Sequence, residues 1–384
     1  MQDYLEGLNK QQLKATTTTS QYVRVVAGAG SGKTRVLTSR IVFLIKELGI
    51  DPKKILAITF TNKAANEMKQ RVEKQLDGTS LGCHISTIHS FAVRFLRSEI
   101  KRINYPANFQ ILDGDDQKAI IREAYELYDL DKRDHNFRVA LDYIGNNKVA
   151  GISCEEALKR AYSPFYENLA KVYRYYTERC QQMYGLDFDD LLLFTNKILK
   201  QNPDVRDKWQ KRFEYILVDE FQDIDNVQYE MIELLCNRST SVFVVGDPDQ
   251  TIYTWRGANI NIIMDFEKNF AGTETIILNQ NYRSTRNILN GANSLIACNK
   301  NRLKKDLYTD NAEGRKIVHF TASSDDLEAE YVVRKIFDLE KEGVQYNDIA
   351  ILYRSAYLSR AIEKQLMNVK IPYILYGGVR FYDR

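Results

Sequence analysis

Several features that would place a chain quickly are missing from this one. Its 54 lysines and arginines are nearly cancelled by 51 acidic residues, leaving a formal charge of +3. The bulk balance therefore argues for neither a nucleic-acid nor a membrane partner. The five cysteines, at 83, 154, 180, 236 and 298, stand far apart with no CxxC pair, and the four histidines are not at ligand spacing. This excludes the usual zinc modules and a disulfide framework, and it suggests a reducing compartment. No run approaches the ~18 apolar residues of a membrane span, and the opening MQDYLEGLNKQQ lacks the pattern of a signal peptide. These absences together predict a cytoplasmic protein without a membrane partner. There is also no internal repeat and no long linker; TTTTS (16–20) is only loop-sized.

What is present is ordinary soluble composition, 44% hydrophobic and 27% charged, over 384 residues. That length accommodates two or three domains. Short β-branched runs recur at 23–28, 54–60, 83–88, 215–220, 241–247 and 275–280, and helical patterns such as 33–48 and 62–76 follow several of them. Strands alternating with helices predict an α/β fold with a parallel sheet. The stretch from about 113 to 185 has helical spacing and almost no β-branched runs, and reads as a helical insertion. After about 276 a second α/β pattern begins, with strands expected at 317–322, 348–354 and 371–377. The cluster RFLRSEIKR (94–102) is locally basic, and a solvated helix face is its plain reading.

AGAGSGKT (27–34) follows a strand and opens a helix, the context of a P-loop. In such a loop (here Ala27, Gly28, Ala29, Gly30, Ser31 and Gly32) the backbone curls so that N–H groups face an anion, helped by the helix dipole. Lys33 would reach the β- and γ-phosphates and Thr34 would ligate Mg²⁺. Ala27 stands where the strict motif has glycine. YILVDEFQD (215–223) supplies the second carboxylate-bearing strand, with Asp219 suited to the metal and Glu220 to the attacking water. GDPDQTIYTWRGA (246–258) joins an acidic turn to Tyr253, Trp255 and Arg256. Such a stretch fits either a core hairpin or a surface that grips flat rings. A GTPase or kinase reading does poorly, because TNKAA (61–65) lacks the Asp of NKxD and neither HRDxxxxN nor DFG occurs.

LNKQQ (8–12), AGAGSGKT, ITFTNKAANEM (58–68), ISTIHSFAVRFL (85–96), VDEFQD (218–223), VVGDPDQTIYTWRGA (244–258) and LNQNYRST (278–285) occur in the order of the UvrD/Rep/PcrA group of superfamily 1 helicases, which the whole chain resembles. The resemblance implies a RecA-like P-loop motor domain 1A (1–110 and 188–275), a helical insertion domain 1B (111–187) and part of a second RecA-like domain 2A (276–384). It implies ATP and Mg²⁺ as cofactors, single-stranded or 3′-tailed duplex DNA as partner, 3′→5′ movement, and protein partners in repair or replication. Gln12 resembles the glutamine that reads adenine, Tyr282 the aromatic that stacks on it, and Arg35 a flanking residue. Gln250 resembles the γ-phosphate sensor, and Arg283 the arginine that crosses to the γ-phosphate. Phe60, Tyr253 and Trp255 resemble the pockets through which bases pass, and Asn62, His89, Arg256 and Arg354 the backbone or base contacts. A core histidine at 89 and a structural salt bridge at Arg283 stand as alternatives.

The group continues with motifs V and VI, which do not occur before Arg384, and GGVRFYDR (377–384) resembles the exit toward the 2B insertion. The expectation is nucleotide binding with weak or absent DNA-stimulated turnover. Rival readings are a non-catalytic ATP- and DNA-binding fragment and the motor of a RecB/AddA-like helicase–nuclease.

Overall fold

The computed structural model describes residues 4–76, 82–131, 133, 135–300 and 302–376. These divide into two compact units, residues 1–315 and 316–384.

The first unit is organised by a six-stranded sheet of β1 (Tyr22–Ala27), β2 (Ile55–Thr59), β3 (His84–Thr87), β6 (Tyr215–Val218), β7 (Ser241–Gly246) and β8 (Glu274–Leu278). Two short strands, β4 (Gln110–Ile111) and β5 (Gly185–Leu186), pair separately. The large sheet runs β3-β2-β6-β7-β1-β8, and every pairing is parallel. Each of the six expected strands is present. The central ones are buried along nearly their whole length, as a sheet covered on both faces requires. Alternation then decides which core each side chain enters. Leu56 and Ile58 of β2 join one cluster, with Phe91, Phe95 and Trp209. Ile55 and Ala57 join the other, with Leu37, Ile41 and Met68. The helices Lys33–Lys46 and Asn62–Gln75 cover the second face, and Ile88–Glu99, Phe188–Gln201 and Asn226–Leu235 cover the first.

Between β4 and β5 lie the helices Gly114–Leu127, Phe137–Val149, Cys154–Lys159 and Pro164–Gln182, the helical insertion the spacing predicts. They enclose their own core around Ile121, Tyr125, Tyr173 and Tyr176. The β4–β5 pairing ties its entry and exit together, and the buried Lys148 ammonium bonds Asp187 and Asp190 at 2.7 and 2.8 Å.

The run at 275–280 is the strand Glu274–Leu278, which pairs with β1 at the edge of the large sheet. One expectation is corrected in the second unit. The expected strands at 317–322, 348–354 and 371–377 are not formed among the described residues, although helices Asp325–Lys341 and Ser359–Asn368 are, packed around Val333, Ile336, Leu366 and Ile371. A β-branched run becomes a strand only when a neighbour completes its ladder, and among the described residues of this unit none does. The stretch 377–384 lies outside the described residues.

Candidate functional site

The strands of the large sheet all run one way, so the loops after β1, β2, β6 and β7 share its carboxyl edge. This is where α/β sheets place ligands. The β1 loop is held from outside by its carbonyls. Ser31 donates both its N–H and its hydroxyl to Gly28 O, at 3.2 and 2.6 Å. Asn281 Nδ2 donates to Ala29 O at 2.7 Å, Tyr282 N to Gly30 O at 2.9 Å, and Gln12 Nε2 to Ser31 O at 2.8 Å. None of these bonds uses the amides of Ala29, Gly30, Gly32 or Lys33. The loop is thus turned so that donors converge at the start of the Lys33–Lys46 helix, which makes an anion cradle. Gly30 and Gly32 have φ of +66° and +83°, conformations that glycine adopts without a Cβ penalty. Ala27 departs from the strict motif harmlessly, because it is the last residue of β1 and its methyl is buried in the core.

The acidic pair follows β6. Asp219 N still donates to Ile58 O at 2.8 Å, prolonging the strand. Glu220 then turns with φ of +49°, a left-handed conformation that a non-glycine residue adopts only where surroundings enforce it. The turn sends its carboxylate to the Lys33 ammonium at 2.8 Å. Gln222 donates to the same carboxylate oxygen at 2.9 Å and accepts from Asp247 N at 2.9 Å, joining the β6 and β7 loops. Asp219 is buried, and its carboxylate accepts from Glu220 N at 3.0 Å. Burial first, and the neighbouring Glu220 second, push its pKa up to about 6, with Lys33 opposing. A buried carboxylate in that condition is short of a cation. Thr34 sits in the first turn of the facing helix, so the donor set fits Mg²⁺, which takes one or two protein oxygens and completes its shell with phosphate and water. No group of three or more His, Cys, Asp or Glu that could hold a metal occurs among the described residues.

The β7 loop carries Gln250, whose amide nitrogen donates to the Asp247 carboxylate. Asp247 is buried and Asp249 half-buried against the buried Lys305, whose ammonium reaches each at 2.5 Å, and Arg302 adds a contact to Asp249 at 3.0 Å.

The UvrD/REP helicase N-terminal domain model matches residues 8–271, and the UvrD-like helicase C-terminal domain model matches 276–384. A probable DNA helicase II homolog of Mycoplasma capricolum is 44% identical over 385 residues, covering 99% of this chain and 53% of that protein. The ATP-dependent DNA helicase PcrA of Staphylococcus epidermidis is 42% identical over 384 residues, covering 100% of this chain and 53% of its own length; that of Staphylococcus aureus gives the same figures. The chain belongs to the UvrD/REP helicase family. It spans about half the length of these curated relatives. Its six-stranded parallel sheet with covering helices is the RecA-like α/β fold of that family.

Farther along the loops after β2 and β7, this UvrD/REP chain gathers aromatics. Phe60, just past β2, stacks on Tyr253 with centroids 4.9 Å apart and planes 26° from parallel. Tyr253 lies 6.4 Å from Trp255, and the Arg256 guanidinium sits 4.6 Å above the Trp255 ring. Trp255 is 60% exposed and Phe60 38%, so this is a surface and not the core hairpin that the sequence left open. Asn62 begins the next helix, and its side-chain Oδ1 accepts from the hydroxyls of Thr87 and Ser90 at 3.4 and 3.3 Å. His89 meets Phe188 edge-on at 5.6 Å, and burial lowers its pKa. Arg354 is exposed in the second unit.

Near the cradle, Arg283 is exposed, and its backbone N–H donates to Asn281 Oδ1 at 2.9 Å. Tyr282 is also exposed. Its hydroxyl accepts from Asn9 Nδ2 at 2.7 Å and donates to Gln280 at 2.8 Å. Arg35 donates to Glu6 O. Gln12 is buried and sits in a capping box with Asn9, so reading a base would fall to its second N–H and second lone pair.

Four residues that position the site escaped sequence reasoning: Gln222, Asn281, Arg302 and Lys305. Asn281 lies inside LNQNYRST and Gln222 inside VDEFQD, so the motifs enclosed them without distinguishing them. The only trace of Lys305 was two lysines preceding an aspartate.

Proposed function

We propose that this chain is the ATP-hydrolysing, DNA-gripping part of a DNA helicase that steps 3′→5′ along single strands. Residues 1–110 and 188–275 form domain 1A, 111–187 domain 1B and 276–384 part of domain 2A. The observation that carries this reading is the placement of one loop: Gln250 belongs to the Lys33–Glu220–Gln222 network, and Tyr253, three residues on, stacks in the exposed aromatic cluster. A change in hydrogen bonding at one end displaces the grip at the other.

Bound Mg-ATP supplies the electrophilic γ-phosphorus and a metal that neutralises charge on the phosphate oxygens. Lys33 leaves Glu220 for the β- and γ-phosphates as the anion enters the cradle. That frees the Glu220 carboxylate to orient and deprotonate water. Thr34 and Asp219 would hold the metal, and Gln250 would exchange Asp247 for the γ-phosphate. Arg283, exposed beside Gly30, adds a rigid guanidinium fork. Gln12, Arg35 and Tyr282 flank the base. In the aromatic cluster Phe60, Tyr253 and Trp255 stack on bases without regard to sequence, while Asn62, His89 and Arg256 contact base edges or phosphates. Arg354, which belongs to the second unit, contributes a phosphate contact of its own.

The test is ATP hydrolysis by the 384-residue chain with and without single-stranded DNA, beside fluorescence-anisotropy titration of a labelled oligonucleotide. Nucleotide-dependent DNA binding supports the reading. A chain that binds neither ligand overturns it, and binding of both without any turnover favours a non-catalytic module.

A further inference from the structure

No motif accounts for residues 302–309, yet the structure threads them between the two working surfaces. Tyr308 pairs with Gln280 in an isolated parallel bridge, its N–H donating to Asn279 O at 3.0 Å and its carbonyl accepting from Asn281 N at 2.8 Å. One residue earlier, Leu307 lies on the phosphate loop so closely that a methyl on Gly28 would come within 2.2 Å of its Cδ2. Two residues before that, the buried Lys305 ammonium bonds Asp247 and Asp249 at 2.5 Å. Asp247 uses its other oxygen to hold the Gln250 amide.

We propose that Lys305 is a positioning residue that couples the phosphate loop to the aromatic grip, an inference that rests on the proposed function. The physical reason is that the ammonium and its carboxylates cannot part cheaply. Separating a buried ion pair leaves uncompensated charge on both sides, so strap and turn move as one body. At its other end the strap has no slack, because Leu307 fills the space a Cβ would need at Gly28. A rearrangement of the loop around phosphate therefore shifts Leu307, and through Lys305 it shifts the turn that carries Gln250 and Tyr253. Two carboxylates face two cations here, so the cluster is neutral and stays dry while it moves. Lys305 touches no substrate; it acts through Asp247 and Gln250.

The experiment measures the dissociation constant of a fluorescein-labelled oligo-dT by anisotropy, with and without Mg²⁺ and a non-hydrolysable ATP analogue. In the parent chain the two values differ by a coupling factor, typically about 5–150 for linked sites. Lys305→Met is expected to bring that factor to one while each ligand alone still binds, and Lys305→Arg to restore it. Lys305→Met leaves the buried Asp247 without a cation and Asp249 with Arg302 alone; if it does not fold, Lys305→Met combined with Asp249→Asn keeps the charge balanced and carries the same expectation. A merely structural lysine would lower the melting temperature and leave the factor intact. An unchanged factor in the variant overturns the inference, as does a parent that binds both ligands without coupling. A parent that binds neither instead removes the functional reading beneath it.

Discussion

Replacing Asp219 by Asn should stabilise the nucleotide-free protein and abolish its response to Mg-nucleotide. The carboxylate is buried beside Glu220 and its pKa is pushed up to about 6 from 3.8. A carboxyl whose folded pKa is raised binds more protons in the native state than in the unfolded one. Stability therefore falls as pH rises between the two values and levels off above the higher. At 1.36 kcal/mol per pKa unit, the ionised side chain costs on the order of 3 kcal/mol near pH 7.5 and about half that near pH 5. Asparagine is close in shape and its carbonyl can still accept from Glu220 N–H, so the substitution removes the charge and keeps the bond. Urea denaturation of parent and variant at about pH 5 and about pH 7.5 gives the difference directly, with a larger gain for the variant at the higher pH. Adding Mg-nucleotide at about a hundred times its dissociation constant should raise the parent by roughly 2.7 kcal/mol. The variant should gain almost nothing. A variant less stable than the parent near neutral pH, or a gap that does not change with pH, would refute the assignment of a buried, cation-starved carboxylate.

Glu220→Gln should keep nucleotide binding and lose turnover by about 10²-fold or more, as expected for a general base; hydrolysis at the parent rate would reassign the base. Lys33→Ala should abolish nucleotide binding in equilibrium titration, since it removes the point charge at the head of the cradle. Tyr253→Ala or Trp255→Ala should weaken single-stranded DNA binding by about 1–3 kcal/mol each, more than substitution of an exposed lysine such as Lys69, and anisotropy titration separates the two. Asn281→Ala should weaken nucleotide binding although it touches no nucleotide, because Ala29 O loses its donor and Arg283 its Asx turn; an unchanged nucleotide affinity would show that the loop holds its curl without it.

The sequence alone determined the six strands of the large sheet, the helical insertion and the cradle. Those depend on local facts: β-branched runs, helical spacing, and glycines where φ must be positive. The same facts marked Lys33, Asp219 and Glu220 as candidates, because each is a chemically apt residue type at a fixed place after a strand, whereas Gln250 was marked only by the family resemblance. Local facts misled at 317–322, 348–354 and 371–377, where a strand-like run without a ladder partner stays irregular.

The tertiary structure decided what meets what. Sheet order, and not sequence distance, places β2, β6, β7 and β1 side by side, so that Phe60 stacks on Tyr253 and Lys33 reaches Glu220. It recruited Glu274–Leu278 into the first sheet, and it buried Lys305 between two aspartates. A lysine in an irregular stretch reads as solvated until the fold surrounds it. The charge pairing that fixes its role is made by residues far apart in the chain, and no periodicity or motif can record such a contact.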